Sequence, residues 1–380
     1  MEDTVEPMPT FALEEWFRRF AFIPGMINLS PSNPLAPSLA ELLDQAGLPR
    51  DVLGSVSLDY GETKGAPALR EAIAKLYSSV SPDDIVVTAG ALEAITLVLA
   101  TIVKKGTPVV LETPIYGSYE PLLRRLGATV IAFELRAADG FGYDFSRLSE
   151  LVRDSHAELL IANPFNNPTG RGIDSSAALA AVAELTTTAG VRIVCDEVFR
   201  PVNLDGDELA SALDLLDDAI VLADMTKPYG LGGLRIGWVA SRDTHLAEHV
   251  CNLRDYTTNS NATLSEKLAE IALSVRGSLL RPAIAVARDS RDVVESLLKE
   301  SGGVLRWTRP SGGFCGFIEV ACDTERPVAE ICAEVALETH QLLLPGAVFG
   351  EAYSHYIRIG LAAGGKALRE GILTLLDRLS

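Results

Sequence analysis

The residues best placed to do chemistry lie in one stretch, Asp224-Met225-Thr226-Lys227-Pro228-Tyr229-Gly230-Leu231-Gly232-Gly233-Leu234-Arg235-Ile236-Gly237-Trp238. An apolar run, Ile220 to Ala223, leads into it, and Trp238-Val239-Ala240 leads out. A lysine at a strand end, beside a glycine-rich turn, can form a Schiff base with a carbonyl compound. The arginine eight residues on can hold an anion. A dinucleotide loop is the rival reading of Gly230-Leu231-Gly232, but it requires strand, G-x-G-x-x-G and helix in that order. Here Arg235 takes the last glycine position and a strand-like run follows, which argues against the rival.

Other polar residues end or interrupt apolar runs. After Leu159–Ala162 comes Asn163-Pro164-Phe165-Asn166-Asn167-Pro168-Thr169-Gly170. Two X-Pro steps fix this backbone, so Asn167 can point its amide into a site. Val191 to Cys195 reads as a buried strand ending in Asp196, a carboxylate that needs a cation or caps a helix. Arg358 sits inside His355-Tyr356-Ile357-Arg358-Ile359-Gly360, where its fork suits a carboxylate, from a ligand or from a structural salt bridge. Strand 85–88, the turn Ala89-Gly90-Ala91 and a helix from Leu92 present backbone N–H groups to an anion. Tyr116, after strand 109–112, and Tyr60, before the helix begun by Pro67, each suit a ligand contact or core packing.

Positioning these groups requires strands separated by helices, and the chain shows that alternation from about residue 85 to 240. It predicts an α/β fold with a mostly parallel sheet, with ligands at the strand ends. The tail from about Arg276 alternates helices and strands. The expected division is an N-terminal arm and part of a small domain (1–48), a large domain (49–275) and a C-terminal small α+β domain (276–380). Residues 11–22 read as an amphipathic helix: Trp16, Phe17 and Phe20 form its stripe, and Glu14, Glu15, Arg18 and Arg19 its wet side. Packing on a neighbouring domain or subunit is favoured over a lid. A chain of 380 residues supports a large core, and a net charge of −18 argues against nucleic acid and anionic membranes as partners. The acidic start does not read as a signal peptide, and Ala94 to Val103 is too short to span a bilayer. Five scattered cysteines point to reduced thiols in the cytoplasm, and the histidine and cysteine spacing suggests no metal site.

Taken in order, Tyr60, Gly90-Ala91, Tyr116, Asn167, Asp196, Lys227, Arg235 and Arg358 resemble the class I/II aminotransferases, fold type I enzymes dependent on pyridoxal phosphate (PLP). The resemblance implies Lys227 as the Schiff-base lysine. Gly90, Ala91, Leu92, Thr226 and Arg235 would surround the phosphate. Tyr116 would stack on the ring, Asn167 would reach its phenolic oxygen, and Asp196 would pair with its pyridinium nitrogen. Arg358 would hold the α-carboxylate of an amino acid. Ser32 and Asn33, in the loop that covers the substrate, replace a usual glycine there. Tyr60 would cross to the other subunit of a homodimer. The implied reaction exchanges an amino group between an L-amino acid and a 2-oxo acid.

Two positions depart from the usual pattern. Phe199 stands where a tyrosine is common, removing a hydrogen-bond donor from the phenolic oxygen. Asp224 stands where a serine usually binds phosphate. At ~4 Å and an effective dielectric of about 20, the two like charges would repel by about 4 kcal/mol. Asp224 is therefore expected to turn away, be protonated, or pair with a cation, either a protein arginine or a basic substrate. With Leu13 to Phe17 and Arg254-Asp255-Tyr256, these departures resemble the branch of capreomycidine synthase and the PLP-dependent arginine oxidases. That branch implies cyclisation, elimination or oxidation of arginine or hydroxyarginine as the alternative chemistry. A non-catalytic PLP-fold binding protein is a third reading, disfavoured by the acidic charge.

Overall fold

The computed structural model describes residues 7–324 and 326–379. Seven strands form the main sheet: β1 (Ile85–Thr88), β2 (Pro108–Thr113), β3 (Thr129–Glu134), β4 (Leu159–Ala162), β5 (Arg192–Asp196), β6 (Ile220–Asp224) and β7 (Gly237–Ala240). Their order is β1-β7-β6-β5-β4-β2-β3. Strands β3, β2, β4, β5 and β6 pair in parallel. β7 runs antiparallel to both neighbours.

Strands β1, β4 and β6 are buried along their whole length, because helices cover both faces. Alternate residues point to opposite faces. Val86, Val109, Ile161, Val194 and Leu222 pack against Ile95 and Val98 of helix Ala91–Ile102 and Val250 of helix Thr244–Arg254. Val87, Leu160, Ile193 and Val221 face the opposite layer, which includes Ile73, Val182 and Leu268.

A second, antiparallel sheet contains β8 (Leu305–Trp307), β9 (Cys315–Val320), β10 (Leu344–Pro345) and β11 (Tyr356–Gly360), in the order β10-β11-β9-β8. The 25-residue helix Arg276–Glu300 packs against helix Gly365–Leu379 nearby. Ile27–Asn28 pairs in parallel with Gln341–Leu342, tying the N-terminal segment to this region. Among the described residues, no helix is long and apolar enough to cross a membrane. Nor do they group three or more His, Cys, Asp or Glu side chains in a way that could hold a metal ion.

Candidate active site

The parallel strands β4, β5 and β6 deliver Asn163, Asp196 and Asp224 to one edge of the main sheet. A cavity of about 220 Å³ opens there, lined by Ala91, Leu92, Tyr116, Asn167, Asp196, Phe199, Asp224, Thr226, Lys227 and Arg235. Glu14, Ile95, Asn163 and Val198 complete its wall. A larger groove, about 1170 Å³, contains none of the motif residues.

Lys227 lies on the short helix Thr226–Tyr229, which follows β6 directly. Gly230 ends that helix at φ +71°, and a Cβ there would lie 3.0 Å from the carbonyl oxygens of Pro34 and Leu35. Glycine therefore meets both the left-handed turn and the close approach of another loop. The Lys227 amine donates to Ser32 Oγ at 2.8 Å, and burial pushes its pKa down. Asp224 is buried, and burial raises its pKa. Its Oδ1 accepts from the backbone N–H of Thr226 and of Lys227, each at 3.0 Å. The carboxyl thus caps the lysine-bearing turn. Of the two cations anticipated for Asp224, no arginine is paired with it among the described residues, and Lys227 is the cation that lowers its pKa against burial.

Asp196 is buried at the end of β5 and accepts from Tyr119 Oη at 2.8 Å and Val198 N at 3.2 Å. Burial pushes its carboxyl up to about 6, despite those two donors. A carboxyl in this state favours a cation in the cavity, since pairing would offset the desolvation.

The turn between β1 and helix Ala91–Ile102 forms an anion cradle. Gly90 has φ +87°, and a Cβ there would lie 2.7 Å from Arg235 Nη2. Gly237 lets β7 pass the same turn, where a Cβ would lie 2.5 Å from the Gly90 carbonyl carbon. Ala91 and Leu92 in the first turn of this helix line the cavity, and Gly90 gives the helix no side-chain cap, so its N-terminal end is open to an anion. Arg235 adopts φ +52°, a left-handed conformation costly for an arginine. Its guanidinium donates to the carbonyls of Gly232 and Ala89, each at 3.2 Å, and no carboxylate pairs with it among the described residues.

Arg358 of β11 is 2% exposed. It donates to Asn167 Oδ1 at 3.0 Å and to the carbonyl of Ser30 at 2.7 Å, while its Nε lacks a hydrogen-bond partner. No carboxylate pairs with it among the described residues, so the salt-bridge reading of this arginine fails. A guanidinium so buried, with an open donor, fits an incoming carboxylate.

Tyr116 stands edge-on to Phe11, with ring centroids 5.2 Å apart, and donates to Glu14 Oε1 at 3.3 Å. Burial, with Glu14 beside it, raises the phenol pKa. This corrects the reading of helix Ala12–Phe20. Trp16 and Phe20 do pack on the C-terminal region, beside Ala336 and Leu342, but Glu14 turns into the cavity instead of lying on a solvated face. Among the other expected site residues, Asn33 does not line the cavity; its amide donates to the Pro34 carbonyl at 3.1 Å. Tyr60 is 86% exposed and outside this cavity, which rules out a core role.

Glu112, in β2, anchors the asparagine turn from below. It accepts from Asn166 Nδ2 at 2.8 Å and bonds Tyr143 Oη. Burial pushes its carboxyl up to about 7 from an ordinary value of 4.5. A raised folded pKa means that this stabilisation is complete below the unfolded value and is lost as pH rises through about 7. Between about pH 6 and about pH 8, Glu112 should cost the wild type on the order of 1 kcal/mol. Urea unfolding of Glu112→Gln, which keeps both hydrogen bonds, should not show that loss.

The amine, the cradle with its unpaired arginine, the buried carboxyl and the flat slot beside Tyr116 fit a pyridine aldehyde phosphate in size and charge. The profile described as "Aminotransferase class I and II" matches residues 24–375. Capreomycidine synthase of Streptomyces vinaceus is 28% identical, over 98% of this chain and 95% of the relative. Arginine–pyruvate transaminase AruH of Pseudomonas aeruginosa is 28% identical, over 84% of this chain and 82% of the relative. The solved PLP-dependent cyclase OrfR superposes with a TM-score of 0.91 at 29% identity, covering 100% of both chains. The chain belongs to the class I and II aminotransferase family, an enzyme family with the fold type I architecture, and its cofactor is pyridoxal phosphate.

Proposed function

We propose that this enzyme transfers the α-amino group of an L-amino acid with a cationic side chain to a 2-oxo acid. The observation that carries the reading is that Lys227, Asp196 and Glu14 line one cavity, and that Arg358 lies behind its wall, bonded to the lining residue Asn167. Bound pyridoxal phosphate would supply an aldehyde for amine capture and a ring that acidifies the α-C–H bond. Arg358 grips the substrate carboxylate and so fixes the α-carbon near Lys227. The Lys227 amine takes up the α-proton as a general base and can give it back as a general acid. Its lowered pKa supports that role, because a neutral amine is the base. Asp196 would pair with the ring nitrogen, Arg235 and the Gly90–Leu92 turn would hold the phosphate, and Tyr116 and Asn167 would contact the ring. Thr226 and Phe199 complete the cofactor wall. The Glu14 carboxylate, released from Tyr116, meets the substrate cation.

Phe199 and the capping Asp224 favour a second reading, cyclisation, elimination or oxidation of arginine or hydroxyarginine. Phe199 offers the cofactor no hydroxyl, and the relatives include a synthase and a cyclase. Tyr60, an exposed aromatic side chain whose phenolic O–H can donate to an anion, supports a homodimer in which it reaches the partner's phosphate.

The test is a product screen of single amino acids, with and without 2-oxo acids. Turnover that requires an oxo acid, and prefers arginine or lysine, supports transamination. Turnover of a basic amino acid without an oxo acid moves the assignment to the second reading. Glu14→Gln should lower kcat/KM for basic substrates by about 10- to 100-fold, as for loss of a charged hydrogen bond, and leave neutral ones within about threefold. An equal loss for both classes would remove Glu14 from substrate recognition.

A further inference from the structure

We propose that Ser32 is a positioning residue that holds the Lys227 amine while it moves the substrate proton. The inference rests on Lys227 being the cofactor lysine. Lys227 Nζ donates to Ser32 Oγ at 2.8 Å. A free Lys227 amine makes this contact, and the lysine has one when it is detached from the cofactor, the interval in which it acts as a base. An amine has two N–H bonds and one lone pair. Committing one N–H to Ser32 restricts where the lone pair can point.

The segment that carries Ser32 is itself held on two sides. Ser30 Oγ donates to the Arg358 carbonyl at 2.9 Å, and Arg358 Nη2 donates back to the Ser30 carbonyl at 2.7 Å. Gly360 N donates to the Leu29 carbonyl at 2.8 Å. A Cβ on Gly360 would lie 2.1 Å from the Pro31 carbonyl oxygen, so the segment lies flush on β11. Its far end, Pro34 and Leu35, presses on Gly230 at the end of the lysine turn. Ser32 is thus fastened between the arginine that would fix the substrate carboxylate and the amine that attacks its α-proton. In the transfer the α-C–H bond breaks and an N–H bond forms on Lys227; Ser32 only accepts a hydrogen bond and is unchanged.

The test uses the full chain stripped of cofactor. The rate of PLP capture against pH reports the Lys227 amine, since only the neutral amine attacks. Asp224, Cys315, Arg358 and Glu14 also face that amine and stay in place. Ser32 accepts from the charged form and stabilises it, so Ser32→Ala should move the capture midpoint down by about one pH unit. In the loaded enzyme kcat should fall about tenfold with KM within about twofold, and the α-deuterium isotope effect should rise. Ser32→Thr should restore all three. An unmoved midpoint and isotope effect in both Ser32→Ala and Ser32→Gly overturns the proposal, and so does failure of Ser32→Thr to rescue. If the cofactor were attached to another lysine, the underlying assignment would fail; attachment to Lys227 with an unmoved midpoint fails Ser32 alone.

Discussion

Asp196→Asn is expected to lower turnover by about 10²- to 10⁴-fold while the cofactor still attaches to Lys227. The carboxyl is buried at the end of β5, and its ordinary donors are a phenol and one backbone N–H. Burial already pushes it up to about 6, so it gains most from a cation. Removing one partner of a buried ion pair costs roughly 3–5 kcal/mol, which gives that range. Asparagine keeps the shape and the bond from Tyr119, so stability should change little. The same loss should not appear in Tyr119→Phe, which removes a supporting donor but leaves the charge; about tenfold is expected there. Equal turnover in wild type and Asp196→Asn would show that the ring nitrogen is not paired here.

Arg358→Ala should lower kcat/KM by about 10²- to 10³-fold, because it removes the buried partner of a substrate carboxylate. Arg358 also holds Asn167 and Ser30, so its removal loosens both. The substrate supplies the control. Wild type should prefer an amino acid over the matching amine without its carboxylate by a similar factor, and Arg358→Ala should discriminate between them by less than about tenfold. Arg358→Lys should recover only part of the preference, because an ammonium lacks the planar fork. A variant that discriminates as strongly as wild type would place the carboxylate elsewhere.

Much of the main sheet was legible because most of its strands are short, largely apolar and bounded by turns. Three of them, β4, β5 and β6, lead into polar residues with no local reason to be buried, which singles out Asn167, Asp196 and Lys227. The reversal of β7 was not legible, since a four-residue strand looks the same in either direction. Glu14 was missed because it lies on a helix whose spacing suits a solvated face, and its partner Tyr116 is over a hundred residues away. Tyr119 and Glu112 were missed for a related reason. One lies in a helix and one in a strand, and their contacts to Asp196 and Asn166 form only when distant segments fold together. Asp224 was recognised as unusual, but its role as a cap on the lysine turn depends on the backbone geometry of residues 224–227.

The central claim is that Lys227 carries the cofactor at the end of β6. The most direct measurement is to load the chain with PLP, reduce it with borohydride, digest it and locate the added mass. The account predicts a single modified peptide bearing Lys227, and none from Lys227→Ala. Modification of a different lysine in the wild type, or an undiminished adduct in Lys227→Ala, would contradict it.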